Sequence, residues 1–383
     1  MSRASIGILT SGGDSPGMNA AIRAAFRCIK MREPDREIIF FRDGFRGLAG
    51  RLDASTDRNV DRSAVRDILH RGGTFLGTGR VHQLKVPPET DPTYEARYTE
   101  QQAYLAVASA NLFQLGVSDL IVIGGDGSYR GASLIASHSR QVFPSRSFRV
   151  VGLPGTIDND IYGTDLSIGF DTALNNTVDA IRKIRDTVES HQRAIILEVM
   201  GNSSGWIALQ SAIAGGASIV AIPEVPATWD HDAILDRLKA GARRKYRYFI
   251  IVVAEGVLKQ AGDDWSKKLK HRIETDPDIT DTDGEPMDAR INSVGHVARG
   301  GHPSGIDNTI ASLMGAAASE AVQLGTIDGE AVPEGDIAIG VQSMRPVALP
   351  LAEVTSRSPS IVTPEHRLYR LSEQLMLQPH QPF

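Results

Sequence analysis

SIGILTSGGDSPGMNAAIRAAFRCIKM, residues 5–31, is the stretch whose reading decides the fold. Residues 5–10 form an unbroken run of apolar and small side chains, which predicts a short strand buried on both faces. SGGDSPG then breaks the run, and from Met18 onward apolar side chains recur every three or four residues, the period of an amphipathic helix. Ser15 followed by Pro16 predicts the N-cap and first helical position. Strand, glycine turn and helix make the first half of a βαβ unit.

The same format recurs along the chain. EIIFF (37–41), DLIVIGG (119–125), FRVVGLPG (148–155), AIILEVMG (194–201), SIVAIPE (218–224) and YFIIVVAEG (248–256) read as further buried strands. Helices are predicted over 99–115, 128–138, 171–187, 204–214 and 229–244. Strands buried on both faces imply mostly parallel sheets covered by helices, and this many units fill two doubly wound α/β domains. Ligands in such folds bind outside the carboxyl ends of the strands, where the glycines and aspartates of this chain fall. The polar, turn-rich stretches 81–98 and 258–288 are expected to be surface insertions.

A length of 383 residues suits about two domains. With 41% hydrophobic and 23% charged residues, the composition is that of a folded globular protein and excludes a disordered chain. The 41 basic residues nearly balance the 46 acidic ones, which argues against the basic footprint of a nucleic-acid binder. Cys28 is the single cysteine, so no intrachain disulfide can form and a reducing, cytoplasmic setting is expected. The start MSRASIGILT lacks a secretory apolar run, and LIVI (120–123) and FIIVV (249–253) are far shorter than the ~18 residues that cross a bilayer. No membrane partner is expected.

Four features carry chemistry. TSGGD (10–14) is either a phosphate cradle, with glycines that let backbone amides approach an anion, or simply a tight strand-to-helix turn. In IGGDGS (123–128), Asp126 is placed either to hold Mg²⁺ or to cap the following helix. LPGTIDND (153–160) packs Thr156, Asp158 and Asp160 into five residues, a cluster suited to removing a proton from an alcohol during phosphoryl transfer. Of Arg80, Arg193, Arg290 and Arg299, with His296 near the last, Arg80 and Arg299 stand beside glycines; such a guanidinium can grip phosphate oxygens or merely be solvated.

Taken in order, GILTSGGDSPGMNAAIR, RGGTFLGTGR, IVIGGDGS, GLPGTIDND, SHQR, EVMG, PEVP, AEG and GHVARGGHPSGID resemble the successive signatures of the phosphofructokinases. The resemblance runs from residue 6 to about 345 and is loosest in the two insertions. It implies a glycolytic ATP-dependent transfer of phosphate to the C1 hydroxyl of fructose 6-phosphate. It also implies two Rossmann-like domains with the active site in the cleft between them. The larger, nucleotide-binding domain would be 1–169 plus 299–348, and the smaller, sugar-phosphate-binding domain 170–298 plus 349–383.

Residue by residue, the resemblance makes Gly13, Arg80, Asp126, Gly127 and Ser128 nucleotide contacts, Asp126 the Mg²⁺ ligand, and Arg80 a stabiliser of the transferring group. Asp158 is similar to the general base, with Thr156 and Asp160 as its companions. Met200, Glu255, His296 and Arg299 would hold the sugar phosphate, with Arg193 and Arg290 reaching in from a neighbouring subunit, which implies a homo-oligomer, commonly a tetramer. Arg23, Arg27, Arg62 and Arg185 match an arginine-lined allosteric pocket. The chain departs from the family at Asn202, where arginine is common, at Ser218, where a metal-binding glutamate is usual, and at Tyr246, which aligns with a lysine. Two rivals are a diphosphate-dependent phosphofructokinase and a non-catalytic sugar-phosphate sensor. The intact acidic loop opposes the sensor, and Gly127 and Gly155 oppose the diphosphate enzyme, whose relatives carry aspartate and lysine there. Both glycines are expected to leave open space.

Overall fold

The computed structural model describes residues 4–58 and 60–379. In chain order the first elements are β1 (Ser5–Thr10), α1 (Met18–Arg32), β2 (Ile38–Phe41), α2 (Phe45–Leu48), α3 (Leu52–Ser55), β3 (Thr56–Asp57), α4 (Tyr94–Gln114), β4 (Val117–Gly124), α5 (Asp126–Val142) and β5 (Arg149–Pro154). There follow α6 (Phe170–His191), β6 (Ala194–Val199), α7 (Trp206–Gly215), β7 (Ile219–Ala221), α8 (His231–Arg243), β8 (Phe249–Ala254), α9 (Glu255–Ala261), α10 (Trp265–Thr275) and β9 (Ala289–Ser293). The last are α11 (Gly305–Leu324), β10 (Thr326–Ile327), β11 (Glu330–Ala331), β12 (Ile337–Gln342), β13 (Arg345–Pro350), α12 (Leu351–Arg357) and α13 (Arg367–Leu375).

The chain divides into two compact units. The first comprises Met1–Thr156, Ile161–Asp171 and Arg299–Pro359; the second comprises Ile157–Asp160, Thr172–Ala298 and Ser360–Phe383. The first unit is built on a seven-stranded sheet of order β13-β12-β5-β4-β1-β2-β3. Antiparallel pairing is confined to the two edges, β2 with β3 and β12 with β13. Side chains of alternate strand residues leave the sheet on opposite faces. Ile6, Ile8, Ile121 and Ile123 join α1 and α11 through Phe26, Ile310 and Met314, whereas Leu9, Leu120 and Val122 join α4 and α5 through Leu105, Leu112 and Ile135. Each such side chain, fully withdrawn from water, stabilises the fold by ~1.5–3 kcal/mol relative to exposure. This two-sided burial is why the strands read as continuous apolar runs, and it bears out the doubly wound reading.

The second unit has a four-stranded, all-parallel sheet of order β7-β8-β6-β9. Its core joins Ile196, Ile219, Ile251 and Val253 to Leu235, Leu238, Trp265, Leu269 and Ile273. The last three residues correct one sequence expectation. Much of 258–288 is not a surface insertion, because α10 puts Trp265, Leu269 and Ile273, spaced four apart, into the core. Likewise 81–98 contains a 3₁₀ turn, His82–Leu84, and the first turn of α4. The start of α1 also differs: its N-cap is Gly17, with φ 102°, rather than Ser15. Residues 15–17 instead form a turn, with the Met18 amide donating to the Ser15 carbonyl at 3.3 Å. Among the described residues no helix is long and apolar enough to cross a membrane.

Candidate active site

In the first unit, successive strands run outward from the sheet centre in opposite directions, β1 to β2 one way and β4 to β5 the other. The carboxyl ends of β1 and β4 therefore flank a topological switch point, the place where open α/β sheets bind ligands. Ser11–Gly13 leave β1 there, Asp126–Ser128 follow β4, and Thr156 follows β5. The structure brings these sequence-predicted residues together. The Ser128 Oγ lies 3.1 Å from where a Cβ at Gly12 would stand, and the Thr156 Cβ lies 3.6 Å from the same point on Gly125. The loop carrying Arg80 is laced to the first glycine turn: Thr78 donates to the Gly12 carbonyl at 3.1 Å, and Thr10 donates to the Gly77 carbonyl at 2.8 Å.

Arg299 belongs to this cluster as well. Its Nη1 donates to the Asp14 carbonyl at 3.1 Å and lies 2.6 Å from the Cβ position of Gly13. A Cβ at 13 would crowd the guanidinium, so glycine here permits its close approach to the loop that follows β1. Asp126 is the first residue of α5 and makes no capping bond; Gly125 is the N-cap. Its carboxylate is instead paired with Arg130 Nε at 3.0 Å, an i,i+4 contact that the sequence reading missed although the D-x₃-R spacing on a helix is its signal. The two glycines expected to distinguish donors, Gly127 and Gly155, are unlike. Gly127 has open space around it, as expected. Gly155 does not: a Cβ there would meet Met18 Cε at 2.8 Å and Ile123 Cγ2 at 2.9 Å, so a lysine cannot be accommodated without displacing the core.

In the second unit, Met200, Glu255 and His296 follow the carboxyl ends of the neighbouring strands β6, β8 and β9. The turn 201–205 lies among them. Glu255 Oε1 accepts from the amides of Gly201 at 3.2 Å and Asn202 at 2.5 Å, and Lys259 Nζ donates to Asn202 Oδ1 at 2.9 Å. Asn202 has φ 54°, a left-handed conformation that asparagine tolerates better than arginine does. At the far side of the turn, Glu224 Oε1 accepts from the amides of Gly205 at 2.8 Å and Val362 at 3.2 Å. Burial pushes the Glu224 carboxyl above its usual range, against the lowering effect of those backbone donors. Asp158 and Asp160 belong to this unit. Their main chain is held by Ser204 Oγ, which donates to the Asp158 carbonyl at 2.8 Å, and by the Ser360 amide, which donates to the Asp160 carbonyl at 2.6 Å.

Arg193 and Arg290 stand elsewhere. Both pair with Asp288 Oδ2, at 2.6 Å and 3.0 Å, next to the amino end of β6. Met200 lies seven residues further along the chain, a separation of ~23 Å at ~3.3 Å per residue. Asp288 was not singled out from sequence, though D-x-R at a strand start hints at it. Of the allosteric candidates, Arg23 and Arg27 lie one turn apart on α1, and burial together with Arg27 holds the Arg23 guanidinium below the usual arginine value. Arg62 is exposed. In the second unit, Arg185 Nη2 donates to the Gly216 carbonyl at 3.0 Å and to Gly215, at the end of α7. The Ser218 hydroxyl is taken up by the Ile250 amide at 3.1 Å.

The phosphofructokinase family profile matches residues 5–322. Two curated relatives, from Bacillus licheniformis and Bacillus subtilis, are each named ATP-dependent 6-phosphofructokinase. Each is 40% identical over 373 residues, covering 97% of this chain and 99% of the relative. Among solved structures, phosphofructokinase from Saccharomyces cerevisiae aligns with a TM-score of 0.73 and 30% identity over 92% of this chain and 45% of that one, so this chain spans about half its length. A pyrophosphate-dependent phosphofructokinase from Marinobacter aquaeolei aligns with a TM-score of 0.73 over 99% of this chain and 93% of that one. At 18% identity, that likeness concerns the fold alone. With nearly all of the chain matched at 40% identity, the chain belongs to the phosphofructokinase family.

Proposed function

We propose that the protein transfers the γ-phosphoryl group of ATP to the C1 hydroxyl of fructose 6-phosphate, giving fructose 1,6-bisphosphate, in glycolysis and in the cytoplasm. The observation that carries this reading is the cluster at the switch point of the seven-stranded sheet. There Gly13, Asp126, Ser128 and Thr156 converge at strand ends while Gly127 leaves room for a nucleotide. The first unit would bind the nucleotide and the second the sugar phosphate through Met200, Glu255 and His296.

Asp158 takes the hydroxyl proton as the oxygen attacks phosphorus. Thr156 and Asp160 complete its loop, and Arg80 neutralises charge growing on the transferring group. Asp126 fits Mg²⁺, which takes one or two carboxylates and completes its shell with phosphate oxygens and water. When bound, the ion offsets negative charge on the donor's phosphates. The Asp126–Arg130 pair keeps that carboxylate oriented.

The length of β6 supports a site shared between subunits. If Arg193, Arg290 and Met200 all serve a sugar phosphate, they serve it from different copies of the chain, in a homo-oligomer for which a tetramer is the family expectation. Arg23, Arg27, Arg62 and Arg185 are offered as effector contacts on the resemblance alone. The test is product formation from fructose 6-phosphate with ATP or diphosphate as sole donor, with and without Mg²⁺. Activity with Mg-ATP is expected, with at least ten times lower kcat/KM for diphosphate, a ratio worth ~1.4 kcal/mol. Equal or better turnover with diphosphate overturns the donor assignment.

A further inference from the structure

Residues 157–160 are a four-residue excursion into the second unit between two stretches of the first, and they lie in neither helix nor strand. A segment without a ladder has to have its carbonyls held by other groups if it is to keep one geometry. The Asp158 carbonyl accepts from Ser204 Oγ at 2.8 Å, and Ser204 has no exposed surface. A buried serine can bond within its own helix, as Ser211 does to the Ala208 carbonyl. Ser204 instead directs its hydroxyl to a peptide 46 residues away.

Ser204 is itself fixed. Its amide donates to the Gly201 carbonyl at 2.8 Å, closing a turn whose flanks are clamped by Glu255 and Glu224. We infer that Ser204 is a positioning residue for Asp158: it fixes the peptide that carries the base and ties it to the turn that Glu255 holds. This inference rests on the proposed phosphoryl transfer and deepens it. The side chain touches no reacting atom in this scheme. Its effect is on the aim of the Asp158 carboxylate, and displacing a reacting group by about 1 Å can cost ~10²-fold in rate.

The test compares Ser204→Ala and Ser204→Cys with the wild-type protein, using fructose 6-phosphate and Mg-ATP. Ser204→Ala is expected to lower kcat by ~10- to 100-fold while both KM values stay within about threefold, because substrate contacts are untouched. Ser204→Cys replaces the hydroxyl with a slightly larger, weaker donor, so its kcat should fall between the two; it also serves if the alanine variant does not fold. Amide hydrogen exchange gives a readout free of activity: residues 157–160 should exchange faster in Ser204→Ala, with β6 and β8 unchanged. Wild-type kcat in both variants, or unaltered exchange at 157–160, overturns the inference. A wild-type protein that does not phosphorylate fructose 6-phosphate refutes the activity instead, and the exchange comparison then decides by itself whether Ser204 holds the loop.

Discussion

Arg193→Ala and Asp158→Ala, prepared separately and then mixed, test whether one substrate site draws on two copies of the chain. The ~23 Å that β6 places between Arg193 and Met200 is more than an arginine side chain can bridge. A two-fold assembly in which each copy lends Arg193 to its neighbour satisfies both contacts at once. Each parent should be nearly inactive. Loss of a general base costs ~10² to 10⁴ in rate. Loss of a cation from a phosphate contact costs ~2–5 kcal/mol, read as a raised KM for the sugar. After equal mixing and random reassortment, a site has an even chance of receiving Asp158 and an even chance of receiving Arg193, so about one quarter of sites regain both under two-fold exchange. Fructose 1,6-bisphosphate formation at low fructose 6-phosphate should thus return to roughly a quarter of the wild-type rate. Native mass spectrometry establishes that hybrids have formed. Hybrids no more active than the average of their parents would refute sharing, and with it the assignment of Arg193 to the sugar phosphate.

Two further perturbations probe the loop at Gly127, the proposed donor site, and the turn beside Asp158, the proposed base. A Cβ at Gly127 meets no atom within 4 Å, so the effect of Gly127→Asp should be mainly electrostatic: a second negative charge beside Asp126 is expected to repel a nucleotide phosphate by ~1–3 kcal/mol and lower kcat/KM for ATP ten- to a hundredfold. Unchanged kcat/KM for ATP in steady-state assays would remove Gly127 from the donor site. Glu224 has a folded-state pKa raised by burial, so its stabilising contribution is full below the ordinary carboxyl value of 4.5 and is lost as pH rises through the higher folded value. The wild-type Tm should accordingly fall relative to that of Glu224→Gln between pH 4.5 and neutrality. A Tm difference that stays constant over that range contradicts this role for Glu224.

Much of this protein is legible in one dimension because its signals are local. A buried strand, a glycine pair and a helix of period 3.6 declare themselves within about 25 residues, as residues 5–31 do, and the acidic loop 153–160 carries its chemistry in adjacent letters. Periodicity also contained α10, but its many charges masked the Trp265, Leu269 and Ile273 stripe until the core claimed it. The start of α1 at Met18 rather than at Ser15–Pro16 goes with the left-handed backbone of Gly17, a conformation that glycine permits at little cost. What the tertiary structure alone decided are pairings over long separations. Ser204 with Asp158, Glu224 with Gly205 and Val362, and Arg299 with Asp14 follow from strand order and from where each loop leaves its sheet. The same holds for the opposition of Arg193 and Met200 at the two ends of β6, which becomes meaningful only once β9 and β8 are known to flank that strand. Strand order is set by the packing of whole layers against one another, a collective free energy that no window of neighbouring residues contains.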